Sequence, residues 1–318
     1  MALIIIVSVL AAVALGGLIF MFIYTYPISK KVYFSQLVRT EPEKWGRCCS
    51  FPDNEEQVQM WDLGVAWAES HKDKMQEVHI QHDGLNLYGE YYDFGKDRCV
   101  IILPGRCESL MYSYFFAPPY EKAGFNVLVI DTRCHGKSDG KFNTIGLQES
   151  GDVIAWANYA NETLSNKEVY CHGICVGTAA AIFALERKDC PDCLKGLVTE
   201  GCFVSFRETF KQHMIVDKRP LFPVLDLVML HIWRHTKTNV YLKKPIRSVK
   251  HIKKDARVLF LFGKQDLFSL PPKSQKLFDA CAAEDKKLTW FEKGPHSHLR
   301  INNFDQYDNA IMDFFKEK

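Results

Sequence analysis

Cys175 lies at the centre of Gly173-Ile174-Cys175-Val176-Gly177, preceded by His172. The run is G-x-S-x-G with cysteine in the serine's place, the pattern of a nucleophile elbow. In such an elbow a sharp strand-to-helix turn pushes one reactive side chain outward under backbone strain. Glycines are needed on both sides because a side chain there would strike the strand or the helix. The flanks suit the turn: residues 167–171 read as a short strand, and 178–185, Thr-Ala-Ala-Ala-Ile-Phe-Ala-Leu, as strong helix. A thiol ordinarily titrates near ~8.5, and a neighbouring imidazole or a helix N-terminus lowers that value. A cysteine at this elbow would have both, and could attack an activated acyl carbon.

A nucleophile of this kind needs a base, and the base needs an orienting acid, here in the chain order nucleophile, acid, histidine. Asp266 follows a predicted strand at 257–262, and His296 follows the next, at 287–291. Each therefore lies at the carboxyl end of a strand, where open α/β sheets bind their ligands. His298 is the alternative base. An oxyanion hole also requires backbone N–H donors. Val176, directly after the nucleophile, is one. Arg106, in the turn Leu103-Pro104-Gly105-Arg106, is the other.

These residues must be held by a sheet. An Asp83-Gly84 turn joins two alternating runs, 77–82 and 85–92, as a hairpin. Strands are then predicted at 98–103, 126–130, 168–171, 194–199, 257–262 and 287–291. Continuous apolar runs such as Val258-Leu-Phe-Leu-Phe262 belong to parallel strands buried on both faces. Helices are predicted at 54–70, 115–123, 145–165, 177–187, 271–282 and 304–317. Two antiparallel strands followed by alternating strand and helix give an α/β class: a mostly parallel eight-stranded sheet flanked by helices. Residues 205–254 break the alternation with helical, aromatic and basic sequence, as a small cap over the site would.

The 318 residues suffice for one large α/β domain. Residues 2–26 carry no charge and read as a single transmembrane helix, uncleaved because no basic residue precedes the apolar run. Residues 27–52, with Pro27, Pro42 and Pro52, read as a juxtamembrane stalk, and 53–318 as the globular domain. Lys30, Lys31, Arg39, Lys44 and Arg47 all follow the apolar run, which puts that domain on the cytoplasmic side. Eleven scattered cysteines fit a reducing compartment. A net charge of +2 gives no reason to expect nucleic acid.

The hairpin, the Pro104-Gly105 turn, the elbow, Asp266, His296 and one further motif together resemble the α/β-hydrolase superfamily. The motif is Asp131-Thr-Arg-Cys-His-Gly-Lys-Ser-Asp-Gly140, similar to D-x-R-x-H-G-x-S-x-G. With the apolar N-terminus added, the chain most resembles membrane-anchored bacterial hydrolases of the serine aminopeptidase-like group. The resemblance runs from the N-terminus to the C-terminus and is weakest in the cap. It departs at Pro104, where histidine is common, and at Cys175, where serine is usual; dienelactone hydrolases are similar folds with a cysteine elbow. It implies hydrolysis of an ester, thioester or amide, a structural role for 131–140, and no cofactor or metal. The expected substrate is a small acyl compound, lipid-like given the anchor. The alternatives are an acyltransferase, or a catalytically silent, membrane-tethered binding protein.

Three other patterns do not hold. Gly136-Lys137-Ser138 lacks the earlier glycine of a phosphate loop, because that position is Asp131. His231 and His235 lack the glutamate of a zinc protease helix, and Cys190 and Cys193 lack a second pair.

Overall fold

The computed structural model describes residues 1–316. Eight strands form one sheet: β1 Met75–His82, β2 Leu85–Tyr92, β3 Arg98–Leu103, β4 Asn126–Ile130, β5 Glu168–Ile174, β6 Leu194–Glu200, β7 Arg257–Gly263 and β8 Asp285–Phe291. Their spatial order is β1-β2-β4-β3-β5-β6-β7-β8. β1 and β2 pair antiparallel across Asp83 and Gly84, whose φ values of 51° and 73° suit the two central positions of a tight hairpin turn. β2 also runs antiparallel to β4, and the remaining neighbours are parallel. The central strands bury alternate residues in two cores. Val100, Ile102, Val127 and Val129 face one side, while Ile101, Leu103, Leu128 and Ile130 face the other. Their unbroken apolar runs follow from this two-sided burial.

The helices begin with α1 Ala2–Leu37 and α2 Glu55–Ser70, then the short α3 Leu110–Ser113 and α4 Pro118–Lys122. The predicted helix at 115–123 is thus broken: a 3-10 turn at Tyr114–Phe116 separates the two short pieces, and Pro118-Pro119 opens the second. α5 Glu149–Glu162 and α6 Val176–Glu186 follow. α5 starts later than the predicted 145, because the loop before it is tied to the Glu149 carboxylate by the N–H groups of Thr144 and Gly146 (2.7 and 3.0 Å). The cap segment contains α7 Phe206–Val216, α8 Val224–Thr236 and α9 Pro245–Ser248. α10 Pro271–Ala280, α11 Leu299–Asn302 and α12 Phe304–Lys316 complete the chain; residue 317 of the last predicted helix, and 318 after it, lie outside the described residues. α12 lays Tyr307, Ile311, Phe314 and Phe315 on one face of the sheet. α5 lays Val153, Trp156, Ala157 and Ala160 on the other.

The N-terminal segment departs from expectation. α1 is one helix of 36 residues with Pro27 inside it, long and apolar enough to cross a membrane. It continues to Leu37 instead of yielding to a stalk at residue 27. Ser29, Val32, Tyr33 and Leu37 are buried against the body, and that burial sustains the helix past its apolar stretch. Beyond it, Arg39 Nη2 donates to the Gly136 carbonyl (2.9 Å), Trp45 stacks on His135 with ring centroids 4.7 Å apart, and Arg47 Nη2 donates to Glu90 (2.9 Å). Residues 27–52 therefore clasp the body instead of standing off it as a stalk.

Candidate active site

β5 delivers Cys175 at its carboxyl end. Cys175 has φ 51° and ψ −107°, a strained conformation for a side chain with a Cβ. Both flanking glycines are obligatory. A Cβ on Gly173 would lie 2.5 Å from the backbone of Thr178, and one on Gly177 would lie 2.3 Å from the Leu103 carbonyl oxygen. The turn is further held by the Cys175 N–H, which donates to the Glu200 carbonyl (2.8 Å), and by the Thr178 hydroxyl on the Gly173 carbonyl (2.5 Å). α6 is buried on all sides, so it fixes the elbow from behind.

Asp266 sits just past β7 and His296 past β8. His296 Nδ1 donates to Asp266 Oδ2 at 2.7 Å. The other carboxylate oxygen accepts the N–H groups of Phe268 (2.8 Å) and Ser269 (2.7 Å), which fixes its orientation. Burial disfavours the Asp266 carboxylate, but the His296 charge and these hydrogen bonds outweigh it and hold the acid below its usual pKa. Burial likewise opposes the imidazolium of His296. Asp266 first, and then the neighbouring Cys175, raise that histidine well above its usual value. Its second nitrogen, Nε2, is buried without an oxygen or nitrogen partner and is left facing the elbow. The structure thus brings Cys175, Asp266 and His296 together. His298 makes no such pair among the described residues: its Nδ1 is 2.8 Å from the His296 carbonyl oxygen.

The loop expected to supply an oxyanion donor follows β3. The Val176 N–H opens α6 and the Arg106 N–H lies in the loop; neither meets a backbone carbonyl among the described residues. The conformation of this loop rests on Glu108, which sequence reasoning missed. Its carboxylate accepts the Gly105 N–H (3.0 Å) and the Gln57 side-chain amide (3.3 Å). Burial pushes the Glu108 acid up from its ordinary value. The three-residue spacing from Gly105 to Glu108 is a local signal that could have suggested such a return bond. Nothing local could have revealed Gln57 or Gln36, which come from distant helices. The Arg106 side chain is not merely solvated: Nη1 donates to Gln36 Oε1 at the end of α1 (2.6 Å).

Cys175, Arg106, Glu108, His296, His213 and Arg219 line a cavity of about 680 Å³, of the size that holds a small organic ligand. α7 and the loop after it supply His213 and Arg219, so the cap does border the site. His213 stacks on Phe268 at 3.9 Å, and burial lowers it to about 3, leaving it neutral.

The 131–140 loop is a structural knot. Asp131 accepts the N–H groups of Leu110 (2.8 Å) and Lys137 (2.9 Å), and Arg133 binds Asp152 twice, at 2.6 and 2.7 Å. Arg133 also reaches Asp83 (3.1 Å), so a guanidinium already occupies the acidic corner of His82, Asp83 and Asp152. His231 and His235 pack against α1: His231 Nε2 lies 3.2 Å from the Ser29 hydroxyl, and His235 stacks on Tyr33 at 5.2 Å.

A family profile described as the alpha/beta hydrolase fold matches residues 98–218, from β3 through the elbow into the cap. An esterase of Pyrococcus furiosus superposes with a TM-score of 0.65 at 22% identity, over 78% of this chain and 93% of its own. An alpha-beta hydrolase from Vibrio vulnificus gives 0.62 at 17% identity, over 92% of this chain and 93% of its own. An uncharacterized membrane protein of Saccharomyces cerevisiae is 24% identical over 199 residues, 63% of this chain and 63% of its own length. The chain has the α/β-hydrolase fold, and its central part, residues 98–218, matches that family's profile.

Proposed function

We propose that the protein hydrolyses an ester, thioester or amide through a covalent Cys175 acyl-enzyme. The observation that carries this reading is the 2.7 Å Asp266–His296 pair set beside a strained elbow cysteine in a cavity of about 680 Å³. Cys175 Sγ attacks the acyl carbon, with its proton held by His296 Nε2. The tetrahedral oxyanion accepts the N–H groups of Arg106 and Val176. Its collapse breaks the bond to the alcohol, thiol or amine, which leaves with the proton from His296. A thioester then joins the acyl group to Cys175. Water gives a proton to the same nitrogen, attacks the thioester and frees the acid. Asp266 orients the imidazole throughout.

The esterase among the structural neighbours favours ester or thioester substrates over peptides, and the apolar helix favours a lipid-like acyl group. The same reading extends to place: residues 2–26 anchor the protein, and the basic residues from Lys30 to Arg47 keep the catalytic domain cytoplasmic. A panel of esters and thioesters offered to the full chain in detergent tests the proposal. Turnover should vanish in Cys175→Ala and fall on the order of 10²–10⁴-fold in Asp266→Asn, which misorients the base. Wild-type turnover no higher than that of Cys175→Ala on every substrate would sink the proposal.

A further inference from the structure

The cap carries an apolar face that the catalytic reading does not use. On α8, positions 230 and 233 point away from the body while Leu225, Val228, Met229 and Ile232 are buried. Leu230 is 45% exposed, Trp233 51% and Phe222, just before the helix, 63%. These side chains are not scattered. Leu230, Trp233, Val240 and Tyr241 line an apolar groove of about 340 Å³ whose far wall is Phe22 of α1. Phe222 meets Phe22 edge-to-face, with centroids 6.3 Å apart. The carboxylate in the groove, Asp226, is neutralised by Arg207 (2.9 Å) and the Tyr241 hydroxyl (2.5 Å).

The depth of this face can be read from α1. From Ala2 to Phe22 the helix rises roughly 30 Å at ~1.5 Å per residue, the thickness of a bilayer's hydrocarbon core. The apolar stretch of α1 touches nothing in the protein until that level. Phe22, Tyr24 and Tyr26 therefore mark the membrane boundary, where aromatic side chains gather. Phe222 sits at the same boundary, and α8 then climbs beside α1, bringing His231 to Ser29 and Tyr33, so that Trp233 stands at the outer, headgroup side of the interface. Two turns further along α1 come Lys30 and Lys31, at the height of lipid headgroups, and Arg234 and Lys237 flank His235, which stacks on Tyr33 of α1.

Charge points the same way. Residues 205–254 hold twelve Lys and Arg against three Asp and Glu, a net +9, whereas the whole chain is +2. The remainder is therefore −7, and the excess positive charge is concentrated in the cap segment, whose α8 packs against α1.

We propose that the cap is a second membrane contact: Phe222, Leu230 and Trp233 insert into the interface of the bilayer that α1 crosses, and the cap's cations bind anionic headgroups. The inference rests on α1 spanning a bilayer and is independent of the chemistry at Cys175.

Trp233 allows a direct test. The full chain is placed in phosphatidylcholine nanodiscs, with and without phosphatidylserine, using brominated or ordinary acyl chains. Co-elution with the discs reports α1, and quenching of tryptophan emission by bromine reports the cap. Wild type should be quenched, and Trp233→Phe should lose most of that quenching although five tryptophans remain. Phosphatidylserine should deepen quenching in wild type but not in Arg234→Gln/Lys237→Gln. Chain that co-elutes yet shows no quenching, or a Trp233→Phe variant quenched as fully as wild type, would overturn the proposal. So would discs carrying two chains with Trp233 shielded, because a second copy would then cover the face.

Discussion

Glu200 is buried at the end of β6, where it joins the elbow to the segment that carries His296. Its backbone carbonyl holds the Cys175 N–H, its carboxylate accepts the Leu299 N–H (3.2 Å) three residues past His296, and the Tyr307 hydroxyl donates to its other oxygen. Burial raises this acid from 4.5 to about 7. A folded-state pKa above the unfolded one means that the neutral form supports folding below the unfolded value. That support is lost as pH rises through about 7. The gap corresponds to on the order of 3 kcal/mol. Glu200→Gln preserves the size and one acceptor without the charge. We expect it to be more stable than wild type at pH 8 and no more stable at pH 4, as read by thermal unfolding across that range. Equal pH dependence in both proteins would show that Glu200 does not ionise in the folded state.

At the scale of elements, the elbow depends on how closely α6 enters beside β3. Gly177 lies against the Leu103 carbonyl, at the point where β3 gives way to the oxyanion loop. Gly177→Ala places a methyl carbon 2.3 Å from that oxygen, and backbone on both sides cannot yield cheaply. Overpacking of this kind costs about 1–3 kcal/mol or more. The variant should lose several degrees of thermal midpoint and most of its turnover, because the same shift displaces both Val176 and Arg106. A variant as stable and active as wild type would mean that the elbow relaxes in solution. Both glycines were legible from the motif alone. Glu108 and Gln57, which set the facing loop, were not: one bond closes over three residues, but the other crosses about fifty positions of chain.

At the scale of the molecule, α1 is an exposed apolar helix at one end and a core helix at the other. Its apolar two-thirds is exposed, while Val32, Tyr33 and Leu37 are buried in the same cluster as Met60, Phe206 and Val228. Each such side chain is worth about 1.5–3 kcal/mol when buried. Removing residues 2–26 should leave the urea midpoint of the catalytic domain nearly unchanged. Removing 2–37 should lower it sharply or leave the protein aggregated. Equal midpoints for the two truncations would show that the packed end of α1 adds nothing to the fold.

The sequence by itself determined the class of fold, because hydrophobic periodicity, the Asp83-Gly84 turn and the elbow glycines are local patterns with one economical solution. It determined the order Cys175, Asp266, His296 for the same reason: each residue follows its own strand. It did not reveal that residues 27–52 clasp the body, since Arg39, Trp45 and Arg47 find their partners about 45 to 100 positions away. It placed His296 ahead of His298, two residues apart on one loop, without showing what either ring would meet. The tertiary structure supplies those partners. The crossover between β7 and β8 brings the Asp266 carboxylate to His296 Nδ1 and leaves His298 against a backbone carbonyl. The orienting charge of an acid–base pair is a long-range contact, and long-range contacts are fixed by packing.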